Sequence, residues 1–130
     1  ASASSVRGNN PSKYGPALML DGDYDSYFCT DDGTTEAELE FTLDGDKTFN
    51  RVVLQEYIPL GQRVESFDIQ VKSGDGWTSW GSGTMSTIGH KRIILGRSVT
   101  TGAVKIRIKS SLAPPVLNSF GLYNDTVSGL

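Results

Sequence analysis

The residues best suited to chemistry lie in one acidic loop, Leu18-Met19-Leu20-Asp21-Gly22-Asp23-Tyr24-Asp25-Ser26-Tyr27-Phe28. Three carboxylates and a hydroxyl fall within six residues, around a glycine that permits a tight turn. Hard oxygens from side chains and backbone carbonyls are what Ca²⁺ takes, about 6–8 of them in a flexible shell. The spacing is not that of an EF-hand: nothing here reads as a helix, and the closing glutamate is missing. On residue types alone, an Asp-Gly-Asp loop reads first as a turn and second as a cation site. The neighbouring pair Tyr27-Phe28 is expected to pack into the core and hold the loop rigid.

Other reactive side chains do not assemble into a catalyst by spacing. A nucleophile needs a base within reach and near its working pKa. The one histidine, His90, stands beside Lys91 and Arg92 and reads as a surface or turn residue. Cys29, the one cysteine, reads as a small buried filler. The carboxylate pairs Glu38/Glu40 and Glu56/Glu65 are what 15 acidic residues produce by chance, and Gly81-Ser82-Gly83 lacks the lysine of a phosphate loop. No catalytic residue is assigned, and any enzyme activity is expected from a parent polypeptide.

The elements that must position these residues are short strands. Glu38–Leu43, Ser66–Lys72 and Val104–Lys109 alternate apolar and polar residues, the pattern of a strand with one face on a core and one in water. Arg51–Gln55 and Arg92–Leu95 read as denser strands, and Phe120–Tyr123 as a closing one. Turn signals at Asp44-Gly45-Asp46, Pro59-Leu60-Gly61, Ser73-Gly74-Asp75-Gly76 and Thr101-Gly102 separate them. Many short, punctuated strands with no helix for parallel crossovers predict an antiparallel β-sandwich. The polar tail after Tyr123 is expected to be loose.

Composition narrows the function. The 130 residues fit one domain, taken as 1–130 with a core over about 4–123. A net charge of −3 argues against nucleic acid, which needs a positive surface. Lys105, Arg107 and Lys109 alternate with apolar residues and read as the solvated face of a strand. One cysteine forms no internal disulfide and no thiolate cluster, which leans towards a bacterial source. No apolar run is long enough to span a membrane, so no membrane partner is expected. Ala1–Ser5 shows no signal peptide, so the chain reads as an excised or processed module. The glycosylation triplet Asn124-Asp125-Thr126 is a common chance match.

Leu20-Asp21-Gly22-Asp23 followed by Ser26-Tyr27-Phe28 resembles the signature of discoidin-like (coagulation factor type C) domains, a group that includes family 32 carbohydrate-binding modules. Arg51–Glu56, Gly61–Phe67, Ile88–Arg92, Val104–Ile108 and Ser119–Tyr123 extend the resemblance along the chain. The combination is similar to modules at the C-terminus of bacterial α-L-fucosidases. The resemblance implies an all-β, eight-stranded antiparallel jelly-roll sandwich with a structural Ca²⁺. Its ligands would be the Leu18 carbonyl, Asp21 carboxylate, Asp23 carbonyl, Ser26 hydroxyl, Asn118 carbonyl and Ser119. The last position is usually glutamate in the group. Serine there removes an anionic ligand and should weaken the site.

The implied function is non-catalytic glycan binding by a module of a secreted glycoside hydrolase, a fucosidase, at a secreted, periplasmic or cell-surface location. A sugar site needs an aromatic or apolar platform with a few oriented polar groups. Candidate segments are Arg7–Tyr14, Phe28–Thr30, Glu56–Arg63 and Ser110–Pro115. Within them, Asn9, Asn10, Tyr14, Glu56, Tyr57, Gln62 and Arg63 are the candidate contacts for fucosyl, galactosyl or N-acetylhexosaminyl groups. Tyr57 could stack on the sugar or simply cover the core edge. Galactose-binding relatives often carry histidine after the signature aromatic residue. Here Phe28 is followed by Cys29, which departs from that pattern. Of Trp77 and Trp80, at least one is expected in the core. Two alternatives are a structural module packed on the parent's catalytic domain, and an adhesion or lipid-binding domain using Tyr57-Ile58-Pro59-Leu60 as an apolar spike.

Overall fold

A computed structural model describes residues 2–20, 26–31, 33–57, 63–86, 88 and 92–123. The strands are β1 (Ser2–Ala3), β2 (Phe28–Cys29), β3 (Ala37–Glu56), β4 (Val64–Ser73), β5 (Gly76–Met85), β6 (Arg92–Ser111) and β7 (Val116–Tyr123). Short helical turns at Arg7–Asn9, Pro11–Tyr14 and Pro16–Leu20 precede β2. Every strand pairing is antiparallel. The order is β2-β7-β3-β6-β4-β5, with β1 on β3.

This single curled sheet forms two layers because β3 and β6 each serve both. Ala37–Thr42 of β3 pairs with Ala103–Ile108 of β6, whereas Arg51–Leu54 pairs with Arg92–Leu95. The register shifts between Thr42 and Lys47 and again between Phe49 and Arg51, and such bulges let a strand turn a corner between layers. Gly45 sits in the first shift at φ 78°, in the left-handed region that favours glycine. The eight strands implied by the resemblance are therefore seven among the described residues, two of them twenty residues long. The turn signals Asp44-Gly45-Asp46 and Thr101-Gly102 mark bends within continuous strands rather than breaks. Ser73–Gly76 is a true hairpin: Ser73 pairs with Gly76, and Gly74 takes φ 61°.

Alternation decides what lies between the layers. Phe67, Ile69 and Val71 of β4 and Val104, Ile106 and Ile108 of β6 point inward and are buried. Phe41 stacks on Phe120 of the opposite layer, 4.2 Å between centroids, and Phe49 meets Trp80 edge-on at 5.5 Å. Trp80 is the expected core tryptophan, fully buried, its indole N–H donating to the Arg97 carbonyl at 2.9 Å. Trp77 lies on the outer face, with the ammonium groups of Lys105 and Lys72 4.5 and 5.2 Å from its centroid.

The basic row of β6 does face outward, and acidic neighbours meet it. Asp68, buried beneath this face, accepts from Arg107 Nε at 2.9 Å and lies 3.3 Å from Lys109 Nζ. Burial pushes the Asp68 pKa up. The hydrogen bonds and charge of Arg107, then Lys109, outweigh it and hold the carboxyl below its ordinary 3.8. Lys105 pairs with Glu38 at 3.5 Å.

Candidate functional site

At one end of the sandwich, hydrogen bonds stitch the loops into one surface. Gly8 N–H donates to Asp31 Oδ1 at 2.7 Å, and Asp31 N–H to Ser5 Oγ at 3.1 Å. Tyr57 N–H donates to the Val116 carbonyl at 2.9 Å. Arg63 Nη1 donates to the Pro114 carbonyl, and Leu112 N–H to the Arg63 carbonyl, both at 2.8 Å. Phe28 and Cys29 pair with Leu117 and Val116, so described parts of all four segments singled out in the sequence meet here, carried on the ends of β2, β3, β4, β6 and β7.

The surface is aromatic. Tyr27 stacks on Tyr57 with centroids 4.6 Å apart and planes 28° from parallel, and Tyr14 lies against Tyr27 at 6.0 Å. Arg7 and Lys13 sit over the Tyr14 ring at 5.8 and 5.6 Å. Burial raises the Tyr27 pKa above its ordinary 10.0, and Tyr14 adds to the rise. The phenol therefore stays protonated at neutral pH and can donate a hydrogen bond. A cavity of 260 Å³ opens beside it, lined by Ser12, Lys13, Tyr14, Leu18, Ser26 and Tyr27. Half-buried phenols beside a cavity, flanked by cationic donors on a fixed frame, suit a polyhydroxylated ligand.

The structure sorts the sequence candidates. Tyr14 and Tyr57 are brought together through Tyr27, a residue the sequence pattern puts in the core. Only its neighbour Phe28 goes inside. The β2 segment does not alternate, since Phe28 and Cys29 are both buried, so period two gave no hint that Tyr27 stays at the surface. Cys29 is the buried filler expected, its thiol against the Thr30 carbonyl at 3.3 Å. Glu56 is corrected as a sugar contact: it is 1% exposed, and its Oε1 accepts from Arg63 N–H at 2.8 Å and Val64 N–H at 2.9 Å. It shapes the loop from beneath. Arg63 likewise braces the neighbouring loop, and Glu65 accepts from Ser110 Oγ at 2.9 Å. Asn10 is exposed, and its carbonyl accepts from Lys13 and Tyr14 N–H. Asn9 lies in the turn Arg7–Asn9. Gln62, Ile58-Pro59-Leu60 and His90 lie outside the described residues. Leu112, inside the candidate segment Ser110–Pro115 but not among the candidate contacts, is 72% exposed beside Arg63. Its only signal was an apolar residue amid Ser110, Ser111 and two prolines.

Of the implied calcium ligands, Asp21 and Asp23 lie outside the described residues. Of the other four, Leu18 and Ser26 line the same cavity, while Asn118 and Ser119 lie in β7, whose Leu117 pairs with Phe28. These four supply neutral oxygens. Charge would have to come from the acidic loop. Among the described residues no three His, Cys, Asp or Glu side chains cluster elsewhere as a metal centre.

A rigid two-layer β scaffold with its contact chemistry on end loops is the build of a β-sandwich binding module. The chain belongs to the F5/8 type C domain family, the discoidin-like fold, whose family model matches residues 1–120. It is 32% identical over 130 residues to alpha-L-fucosidase 1 of Arabidopsis thaliana, covering 98% of this chain and 25% of that one. A GH29 fucosidase of Ruminococcus gnavus, solved in complex with fucose, matches with TM-score 0.85 and 29% identity, covering 95% of this chain and 25% of that one. A variant of chitosan-binding module 1 from a Paenibacillus chitosanase/glucanase shares the fold, with TM-score 0.80 and 22% identity over 95% of this chain and 92% of that one. The chain thus spans about a quarter of the length of the fucosidases it matches. Plant and bacterial proteins both stand among these relatives, so cysteine usage does not settle the source. No helix among the described residues is long and apolar enough to cross a membrane.

Proposed function

We propose that this chain is the glycan-binding module of a secreted α-L-fucosidase-type glycoside hydrolase, and that it does no chemistry itself. The observation that carries the reading is the Tyr27–Tyr57 stack with Tyr14 beside it, on loops tied together at one end of the sandwich. A pyranose would lay its C–H face on these rings and direct hydroxyls to the Tyr27 phenol, Lys13 and Arg7. The platform is shallow, so single-site affinity is weak. Tethering turns weak binding into a high local substrate concentration for the catalytic domain. Family membership and the fucosidase relatives support the glycan class, with fucosyl, galactosyl and N-acetylhexosaminyl groups as first candidates. A structural Ca²⁺ held by Leu18, Asp21, Asp23, Ser26, Asn118 and Ser119 would pin the acidic loop to β7.

The test is a titration with methyl fucoside, methyl galactoside and N-acetylglucosamine, read by tyrosine fluorescence and by the amide spectrum. Saturable binding by one of them, lost in Tyr27→Ala while the rest of the amide spectrum keeps its wild-type pattern, is the expected result. No binding by any of the three, or binding untouched by Tyr27→Ala, refutes the platform.

A specific observation favours a second reading, a module packed on the parent's catalytic domain. Ile93, Leu95 and Tyr123 are 52%, 63% and 56% exposed. They share the outer face of paired strands, because Val53 pairs with Ile93 and Gly121 while Arg51 pairs with Leu95 and Tyr123. An apolar cluster of this kind marks contact surfaces. It lies away from the tyrosine platform, so one module could serve both roles.

A further inference from the structure

The far end of the sandwich, where the β4–β5 hairpin meets the bend of β6, opens a second cavity of 470 Å³. This falls within the range of about 300–1,000 Å³ in which small-molecule sites occur. Its floor is apolar: Val71 is buried and Val99 packs against the core. Its rim is polar, with Asp46, Ser73, Thr78, Arg97 and Thr100 all exposed.

The frame around it is fixed. Thr101 Oγ1 donates to the Lys72 carbonyl at 2.8 Å, clamping β6 to β4. A Cβ on Gly102 would come within 3.1 Å of Asp46 Oδ1, so glycine lets the carboxylate lie close against β6. Arg97 Nη2 donates to the Ser79 carbonyl at 3.2 Å, which orients the guanidinium. Its remaining N–H groups, the Asp46 carboxylate, and the Ser73 and Thr78 hydroxyls have no partner among the described residues. The Thr100 hydroxyl is shared only with Thr48, at 2.6 Å.

We infer that this cavity is a second carbohydrate site, taking one pyranose ring end-on. A carboxylate accepts from two neighbouring ring hydroxyls, and a guanidinium donates to the oxygens of the same pair. Both are charge-assisted bonds, roughly twice as strong as neutral ones. Val71 and Val99 offer the ring's C–H edge an apolar floor. The chemistry is that of a vicinal diol on a sugar ring, and it draws on the glycan class proposed above while using none of the same residues. With sites at both ends, one module could bridge two branches of a glycan or two chains, and avidity would rise without a new contact at either end.

An amide-resolved NMR titration of the whole chain with methyl fucoside, methyl galactoside and N-acetylglucosamine tests it. Saturable shifts at Val71–Thr78 and Arg97–Gly102 are expected, lost together in Arg97→Ala and in Asp46→Asn. Both substitutions are at exposed positions and leave the fold and the Tyr14/Tyr27/Tyr57 responses intact. Shifts confined to the tyrosine end would overturn the second site and leave the first standing. Shifts confined to the far end would do the reverse, and none at either end would overturn both. Far-end shifts that survive both substitutions would also overturn the assignment.

Discussion

Glu56 separates a loop-shaping role from a ligand-touching one. Its buried carboxylate holds two backbone donors, Arg63 N–H at 2.8 Å and Val64 N–H at 2.9 Å. In Glu56→Ala both lose that acceptor at a site where water enters poorly. An unsatisfied buried donor costs about 1–3 kcal/mol. Val64 N–H is buried and takes the upper part of that range, while Arg63 N–H is partly buried and takes the lower part. The total loss is about 3–5 kcal/mol. At roughly 4 °C per kcal/mol for a domain of this length, the melting temperature falls by about 12–20 °C. Glu56→Gln keeps an amide oxygen for the same donors and loses only the charge assistance, about 1 kcal/mol. Urea unfolding of the three proteins at pH 7 reads the order wild type, Gln, Ala. Sugar titration of the Gln variant then reads an affinity within about threefold of wild type, the factor that fits a cost below 1 kcal/mol. Abolished binding in Glu56→Gln, with Glu56→Ala within about 0.5 kcal/mol of wild type, would place the carboxylate on the sugar and refute the geometry.

Gly96→Ala should destabilise by about 1–3 kcal/mol in chemical denaturation, because the new Cβ would stand 2.6 Å from the buried Trp80 ring. A neutral result would mean the β6 backbone yields there at no cost. Asp68 has its carboxyl pKa depressed in the fold, so its contribution to stability is complete above the ordinary 3.8 and is lost as pH falls through the folded value. Unfolding curves from pH 6 down to pH 2 should therefore steepen below about pH 4, and Asp68→Asn should flatten that limb. An unchanged acid limb would remove Asp68 as its source. Calcium chelation should lower the melting temperature, and Asp21→Asn should abolish the response. An unaltered melt after chelation would remove the proposed ion.

The strands were legible because alternation is a local signal. Val104, Ile106 and Ile108 had to face one way, and Lys105, Arg107 and Lys109 the other, whatever else the chain did. The turn residues were legible as turn residues, but their outcome was not. Gly74 closes a hairpin, while Gly45 bends a strand whose ladder continues on both sides, because partner strands are chosen by distant residues. The four loop segments of the candidate site were also visible as punctuated, polar-aromatic stretches. Their roles within it were not. Glu56 looked like a ligand because a carboxylate near a tyrosine and an arginine reads as a contact set. It is a brace instead, because the Arg63 and Val64 N–H groups both point back at its carboxylate. Tyr27 looked like core because it precedes Phe28, and is instead half-buried at the sandwich end, packed on Tyr57 thirty residues on.

By itself the sequence determined the fold class, the direction each strand faces, and a family resemblance. Those follow from local periodicity and residue chemistry. Only the tertiary structure decided which loops share an end, that Tyr27 stacks on Tyr57 with Tyr14 tilted beside it, that a polar cavity opens at the other end, and that an apolar cluster remains on an outer face. Each depends on strand pairings between residues far apart in the chain, and such pairings are fixed by the whole core at once rather than by any local stretch.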